Sequence, residues 1–289
     1  MQTKRLFKGM MMAFGIFCVG ILPVHAKEKM IQIKGSDTIV NLSQAWAEEF
    51  MTEKPNVSIA VTGGGSGTGI AALINGTTDI ANSSRKIKKK ELDDAQKGGY
   101  YPEEFKVAVD ALAVIVNPAN SVKELTIDQL SGIFTGKITN WNEVGGKNEK
   151  ILVLSRDRNS GTHMYFLEQV LRKGNEKGPE QFAPSVLMLP SSEAIINETS
   201  TSESAIGYDG LGYVSAKVKT LAVAKKNGDA FVLPSKETAM NKSYPIWRFL
   251  YMYTGFKPRG EIKAFIDFVL SGKGQKIVDA MDFVPLGEK

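Results

Sequence analysis

Short apolar runs alternate with amphipathic stretches along most of this chain. "MIQIK" (30–34) and "VSIAVT" (57–62) read as strands. Between them, "TIVNLSQAWAEEFM" (38–51) sets Ile39, Leu42, Trp46 and Phe50 on one face at helical spacing, and Pro55-Asn56 ends it. "GGGSGTG" (63–69) leads into a helix over 67–75, and "DIANSS" (79–84) is a third strand. "KIKKKELDDAQKGG" (86–99) reads as a solvated helix stopped by its glycines. "FKVAVDALAVIVNP" (105–118) is long and apolar, with Asp110 in its middle. This β-α-β-α order predicts an α/β fold, a mixed and mostly parallel sheet flanked by helices.

The pattern restarts after Ser121 with "TIDQLSGIFTG". The strand "ILVLS" (151–155), a helix after Ser160 and the strand-like "AIGYDGLGYV" (205–214) follow. Residues 221–244 are polar and weakly patterned, and "YPIWRFLYMYT" (244–254) is a strong strand. "EIKAFIDFVL" and "KGQKIVDAM" close the chain as amphipathic helices. The restart predicts two lobes, 27–112 plus 245–289 and 113–244, with the chain crossing between them near 112 and 245.

The first 26 residues stand outside this pattern. Lys4, Arg5 and Lys8 precede an apolar run from Gly9 to Leu22, and Val24 and Ala26 are small residues at the positions a signal peptidase reads. This is a signal peptide with cleavage after Ala26. The run is too short for the roughly 20 residues of a membrane span. Cys18, the chain's one cysteine, lies inside it, so the remaining 263 residues hold no disulfide and no thiolate. Removing Lys4, Arg5 and Lys8 from 36 basic residues leaves 33 against 31 acidic ones, a charge of +2. That balance argues against a general nucleic-acid binder. The expected product is a soluble exported protein.

Three places repeat one design, a strand followed by small hydroxyl or glycine residues at a helix start. They are "GSDT" (35–38), "GGGSGTG" (63–69) and "RDRNSGT" (156–162). A helix N-terminus offers backbone N–H groups and a positive dipole end, so each is either an ordinary N-cap or an anion site. None matches a P-loop, a dinucleotide fingerprint or a nucleophile elbow. Past the leader there is one histidine, His163, three residues after Ser160. A Ser-His pair that close rarely reaches catalytic geometry, and no metal-ligand cluster stands out. Arg156 and Arg85 each end a predicted strand, where a parallel sheet faces its ligand crevice. Each is either an oxyanion fork or one half of an ion pair.

The stretches "KGSDTIVNLSQAWAEEF", "TGGGSGTGIAALINGTTDIANSSR", "DALAVIVNPAN", "LSGIFTGKITNW", "SRDRNSGTHMYF" and "AIGYDGLGY" resemble the PstS family over essentially the whole chain after the leader. The resemblance implies a type II periplasmic-binding fold with the ligand between two lobes. It implies capture of inorganic phosphate, delivery to an ABC permease in the inner membrane, a periplasmic monomer, no catalysis and no cofactor. Carried over, the phosphate-contacting residues are Thr38, Ser66, Arg156, Ser160, Gly161 and Thr162, with Ser36, Gly67, Ser84, Arg85 and Asp110 as further candidates.

One departure matters. Familiar members have an aspartate where this chain has Ser84, and that carboxylate accepts the phosphate proton and repels sulfate. Asp110 is the expected substitute; the alternative is a structural pairing of Asp110 with Arg85 or Arg156. Failing Asp110, the role falls to Asp37, Asp209 or backbone carbonyls. The rival functions are binding of another oxyanion (molybdate, tungstate or sulfate) and a secreted phosphatase using Ser66 or Ser160.

Overall fold

The computed structural model describes residues 30–287; the predicted signal peptide and Cys18 lie outside the described residues. The chain opens with β1 (Ile31–Gly35), α1 (Val40–Glu53), β2 (Ile59–Thr62), α2 (Ser66–Ile74), β3 (Ile80–Ser83) and α3 (Lys89–Lys97). β4 (Glu103–Val116) leads into a second set. That set holds β5 (Glu124–Thr126), α4 (Ile127–Phe134), β6 (Leu152–Arg156), α5 (Gly161–Phe166), β7 (Leu187–Leu189), α6 (Ser192–Thr201) and β8 (Ala205–Gly210). It closes with β9 (Lys219–Thr220), β10 (Ala222–Ala224) and α7 (Lys236–Met240). β11 (Trp247–Thr254) precedes the final α8 (Gly260–Leu270) and α9 (Gly272–Ala280).

The main sheet runs β2-β1-β3-β11-β4-β8-β6-β7, with β9 also on β4. β1 is parallel to β2 and β3, and β6 is parallel to β7 and β8. β11 and β4 run antiparallel to their neighbours. The α/β class and the two-lobed layout follow from β4. Its residues Glu103–Ala111 pair with β11, and Leu112–Val116 pair with β8. One long apolar strand thus belongs to both halves of the sheet, which is why it is buried on both faces through its second half.

The last helices return to the first lobe. Trp46 of α1 is fully buried and its Nε1 donates to the Gly274 carbonyl of α9 at 2.8 Å. Phe50 packs edge-on against Phe265 of α8 at 5.4 Å and lies 5.5 Å from Phe268. Each such full burial stabilises by about 1.5–3 kcal/mol. The second lobe has its own aromatic core, in which Phe166 stacks on Tyr208 at 3.7 Å and meets Phe134 at 4.7 Å.

Element ends shift from the sequence expectation where local chemistry intervenes. Asp37–Ile39 forms a 3-10 turn before α1, and β11 starts only at Trp247, past Pro245, which has no N–H to donate. "AIGYDGLGYV" is strand only to Gly210, and Leu211–Tyr213 is a 3-10 turn. Among the described residues no helix is long and apolar enough to cross a membrane.

Candidate functional site

The ends of β1, β2 and β3 and the end of β6, which runs antiparallel to them through the sheet, bring the three predicted helix starts together. Thr38 follows β1, Ser66 opens α2 after β2, Ser84 follows β3, and Arg156 ends β6 just ahead of Ser160 at the N-cap of α5. The hydroxyls meet across the lobes. Thr38 Oγ1 lies 2.7 Å from Thr162 Oγ1, Thr162 Oγ1 lies 3.4 Å from Ser84 Oγ, and Ser84 Oγ lies 3.3 Å from Ser66 Oγ. All four side chains are buried. Ser66 Oγ also accepts the Ser84 backbone N–H at 3.0 Å. Ser160 Oγ accepts from the Thr162 and His163 amides, so its own hydrogen remains available to donate. Gly161 backs this cluster, because a Cβ there would fall inside contact of Ser66 Oγ and 2.6 Å from Ser84 Oγ.

Arg156 is fully buried, and Asp37, the chain neighbour of Thr38, ties it to this cluster. Its Nη2 donates to Asp37 Oδ2 at 3.0 Å and to the Pro190 carbonyl at 3.1 Å; Nη1 donates to Ser192 Oγ at 2.9 Å. Ser192 Oγ passes its own hydrogen to Asp209 Oδ1 at 2.9 Å, and Asp209 Oδ2 lies 3.6 Å from Nη1. One guanidinium therefore sits between two carboxylates, one from each lobe. Asp209 is sealed from solvent, and its burial pushes the carboxyl above the usual range against the pull of Arg156. Asp37 is also held by the Gly64 amide at 2.9 Å, and its carbonyl accepts from Tyr213 Oη at 2.6 Å.

Two further sequence candidates sit at this edge in other ways. Ser36 is buried and its amide donates to the Asn82 carbonyl at 2.9 Å. Gly67 is next to the cluster, but its amide is taken by the Asn159 carbonyl of the other lobe at 2.9 Å, so it has no N–H left for a ligand.

Arg85 and Asp110 also have other employment. Arg85 grips Glu91 of α3 with both terminal nitrogens, at 2.8 and 2.6 Å, because Glu91 lies one helical turn into the segment that follows it. Asp110 pairs with Arg248 rather than with Arg85 or Arg156. Its Oδ2 accepts from Nε and Nη2 at 3.0 and 2.9 Å, and its Oδ1 accepts the Leu211 amide at 3.1 Å. The cause is register: Arg248 stands opposite Asp110 where β11 meets β4. Both acceptor oxygens are engaged by partners at the crossing of β4 and β11.

His163 turns away from Ser160. Its Nδ1 lies 3.1 Å from Ser155 Oγ and its ring stacks on Phe182 at 4.4 Å. Burial lowers its pKa to about 4, which keeps the ring neutral. Asp37, Asp209 and Ser192 complete the site. The two aspartates were visible in sequence only as unranked carboxylates, and Ser192 was not singled out at all.

The chain matches the family described as "PBP superfamily domain" over residues 23–273. It is 39% identical over 272 residues to the phosphate-binding protein PstS of Pseudomonas aeruginosa, spanning 88% of this chain and 82% of that one. It is 34% identical to PstS of Bacillus subtilis, over 89% of this chain and 80% of the other. Among solved structures, a putative phosphate ABC transporter substrate-binding protein of Clostridium perfringens, crystallised with bound phosphate, superposes with a TM-score of 0.79. It is 34% identical and covers 89% of this chain and 99% of its own.

Proposed function

The chain belongs to the PstS family of phosphate-binding proteins, and from that membership we propose that it captures inorganic phosphate between its lobes and delivers it to an ABC permease. The observation that carries this reading is the meeting of Thr38, Ser66, Ser84 and Thr162, with buried Arg156 tied to them through Asp37. A tetrahedral oxyanion stripped of water needs many donors at once, and hydroxyls, helix-start amides and one guanidinium supply them. The lobes are 27–112 plus 245–289 and 113–244; support comes from the partner switch of β4 and from the packing of α8 and α9 on α1. Closure of one lobe on the other buries the anion.

Asp37 is the carboxylate that reads the ligand's proton. It is one residue from Thr38, it touches Arg156, and its side chain keeps 13% exposure where Asp209 has none. A hydrogenphosphate can donate to it, whereas fully ionised sulfate meets only repulsion. The protein acts as a monomer in the periplasm, after loss of a leader ending at Ala26. The reading is of a binding protein: among the described residues, the one histidine is bonded to Ser155 and stacked on Phe182, which leaves Ser160 without that base.

Calorimetric titration is expected to show one phosphate per chain, with sulfate, molybdate and tungstate far weaker. Tighter binding of any of these three would overturn the phosphate reading. Turnover of para-nitrophenyl phosphate that disappears in Ser160→Ala would replace it with hydrolysis. Intact mass of the exported protein is expected to place its start at Lys27. Gly161→Ala puts a methyl against Ser66 and Ser84 and is expected to weaken phosphate binding at least tenfold by wedging the lobes apart. An unchanged titration would show that the hydroxyl cluster does not form the bound state.

A further inference from the structure

The glycine-rich stretch after β2 makes room for a residue of the other lobe. α2 begins at Ser66, and its N-cap, Gly65, has no side chain to receive the first amides of the helix. One of those amides, Gly67 N–H, donates instead to the Asn159 carbonyl across the cleft at 2.9 Å. The Asn159 side chain completes the grip: Nδ2 donates to the Gly64 carbonyl at 2.8 Å and to Thr68 Oγ1 at 3.2 Å. Gly64 and Gly65 hold positive φ, +111° and +91°, and a Cβ on Gly65 would lie 2.8 Å from the Asn159 carbonyl oxygen. Glycine at 65 leaves the space that Asn159 fills.

Asn159 stands outside the hydroxyl cluster. It is exposed, and its side chain bonds to Gly64 and Thr68 rather than to Thr38, Ser66, Ser84 or Thr162. Its chain neighbour Ser160 caps α5, and Ser66, the neighbour of Gly67, belongs to the cluster, so the grip and the anion site assemble together. Bonds from Asn159 to residues 64–68 join the two lobes and exist only while the lobes are shut. Opening exchanges all three for bonds to water. Contacts made only in the closed form slow the ligand's departure and leave its encounter with the open form alone.

We propose that Asn159 is the clasp that sets how long the anion stays, a positioning residue that holds the lobes shut without touching the ligand. This role rests on the oxyanion-capture reading and divides it in two. The hydroxyls and Arg156 choose the anion, and Asn159 governs its release.

The first test follows radiolabelled phosphate leaving the protein into excess unlabelled phosphate by rapid filtration. Asn159→Ala is expected to release phosphate roughly fivefold faster or more, with the capture rate within about twofold of the parent. The ratio of phosphate to sulfate affinity and the melting temperature of the ligand-free protein are expected to stay as in the parent. Thr68→Val keeps the shape, loses one acceptor and is expected to speed release by about twofold. A parental release rate in Asn159→Ala overturns the clasp. So does a narrowed preference for phosphate, which would make Asn159 a ligand contact. The second test closes the clasp covalently. A Cβ on Gly67 would lie 3.8 Å from that of Asn159, a usual separation across a disulfide, and the chain past the leader has no cysteine to compete. The double variant Gly67→Cys, Asn159→Cys, oxidised in phosphate, is expected to keep its phosphate through desalting and to give it up on reduction. Thiols that stay free in the phosphate-saturated protein overturn the clasp, as does phosphate that escapes the oxidised protein as fast as the reduced one. Failure of the phosphate reading is separate: a parent that binds sulfate, molybdate or tungstate instead overturns that reading, and the same measurements with that anion decide the clasp. A parent that binds none of the four overturns both.

Discussion

Arg156→Ala is expected to raise the phosphate dissociation constant by roughly thirtyfold or more and to destabilise the fold by about 3–5 kcal/mol. Both effects come from one fully buried side chain that serves the ligand and the protein together. Without the guanidinium, the anion loses the positive charge held at the site. Asp209, with no solvent access, loses its compensating charge, and Ser192 and the Pro190 carbonyl lose theirs too. The interlobe link to Asp37 is lost as well. Arg156→Lys separates the two effects: one ammonium restores charge but cannot span Asp37, Pro190 and Ser192 at once. It is expected to recover part of the stability and little of the affinity. Titration calorimetry and urea unfolding read the two quantities separately. A wild-type dissociation constant in Arg156→Ala would remove this residue from the ligand.

Asp110→Ala is expected to destabilise by about 3–5 kcal/mol while leaving the folded protein's preference for phosphate over sulfate in place. The reason is the partner. Arg248 is 3% exposed and gives two hydrogen bonds to Asp110, so truncation leaves a buried cation alone. Asp37→Asn is expected to do the opposite. It keeps the shape and an acceptor oxygen, costs less stability at a partly exposed position, and narrows the preference for phosphate over sulfate. Denaturant midpoints and paired phosphate and sulfate titrations decide the matter. If Asp110→Ala kept its stability and lost discrimination, Asp110 would be the proton acceptor after all and Asp37 a latch only.

The comparison of these two aspartates shows how far a linear reading reaches. In sequence, Asp110 looked the better acceptor because its strand would run beside the cleft. Its partner is Arg248, 138 positions away, and that pairing becomes visible only once the β4–β11 register is known. Arg85 looked like a ligand fork because it ends a strand. Its partner Glu91 was close in sequence, yet the pairing depends on the turn that starts α3. Ser192 carried no signal in sequence, since its role depends on standing between Arg156 and Asp209.

What the sequence determined by itself was local or periodic. The alternation of apolar runs marked the strands and helices, and the restart after Ser121 marked two sets of them. The small hydroxyl residues at three helix starts marked Thr38, Ser66 and Ser160 to Thr162, because capping and anion binding both draw on N–H groups of adjacent residues. What only the tertiary structure decided was which charge meets which. Ion pairs such as Arg156 with Asp37 and Asp209, or Arg248 with Asp110, join residues far apart in the chain. Their energies depend on burial and on distances of a few ångströms, and neither quantity exists until the sheet has brought its strands together.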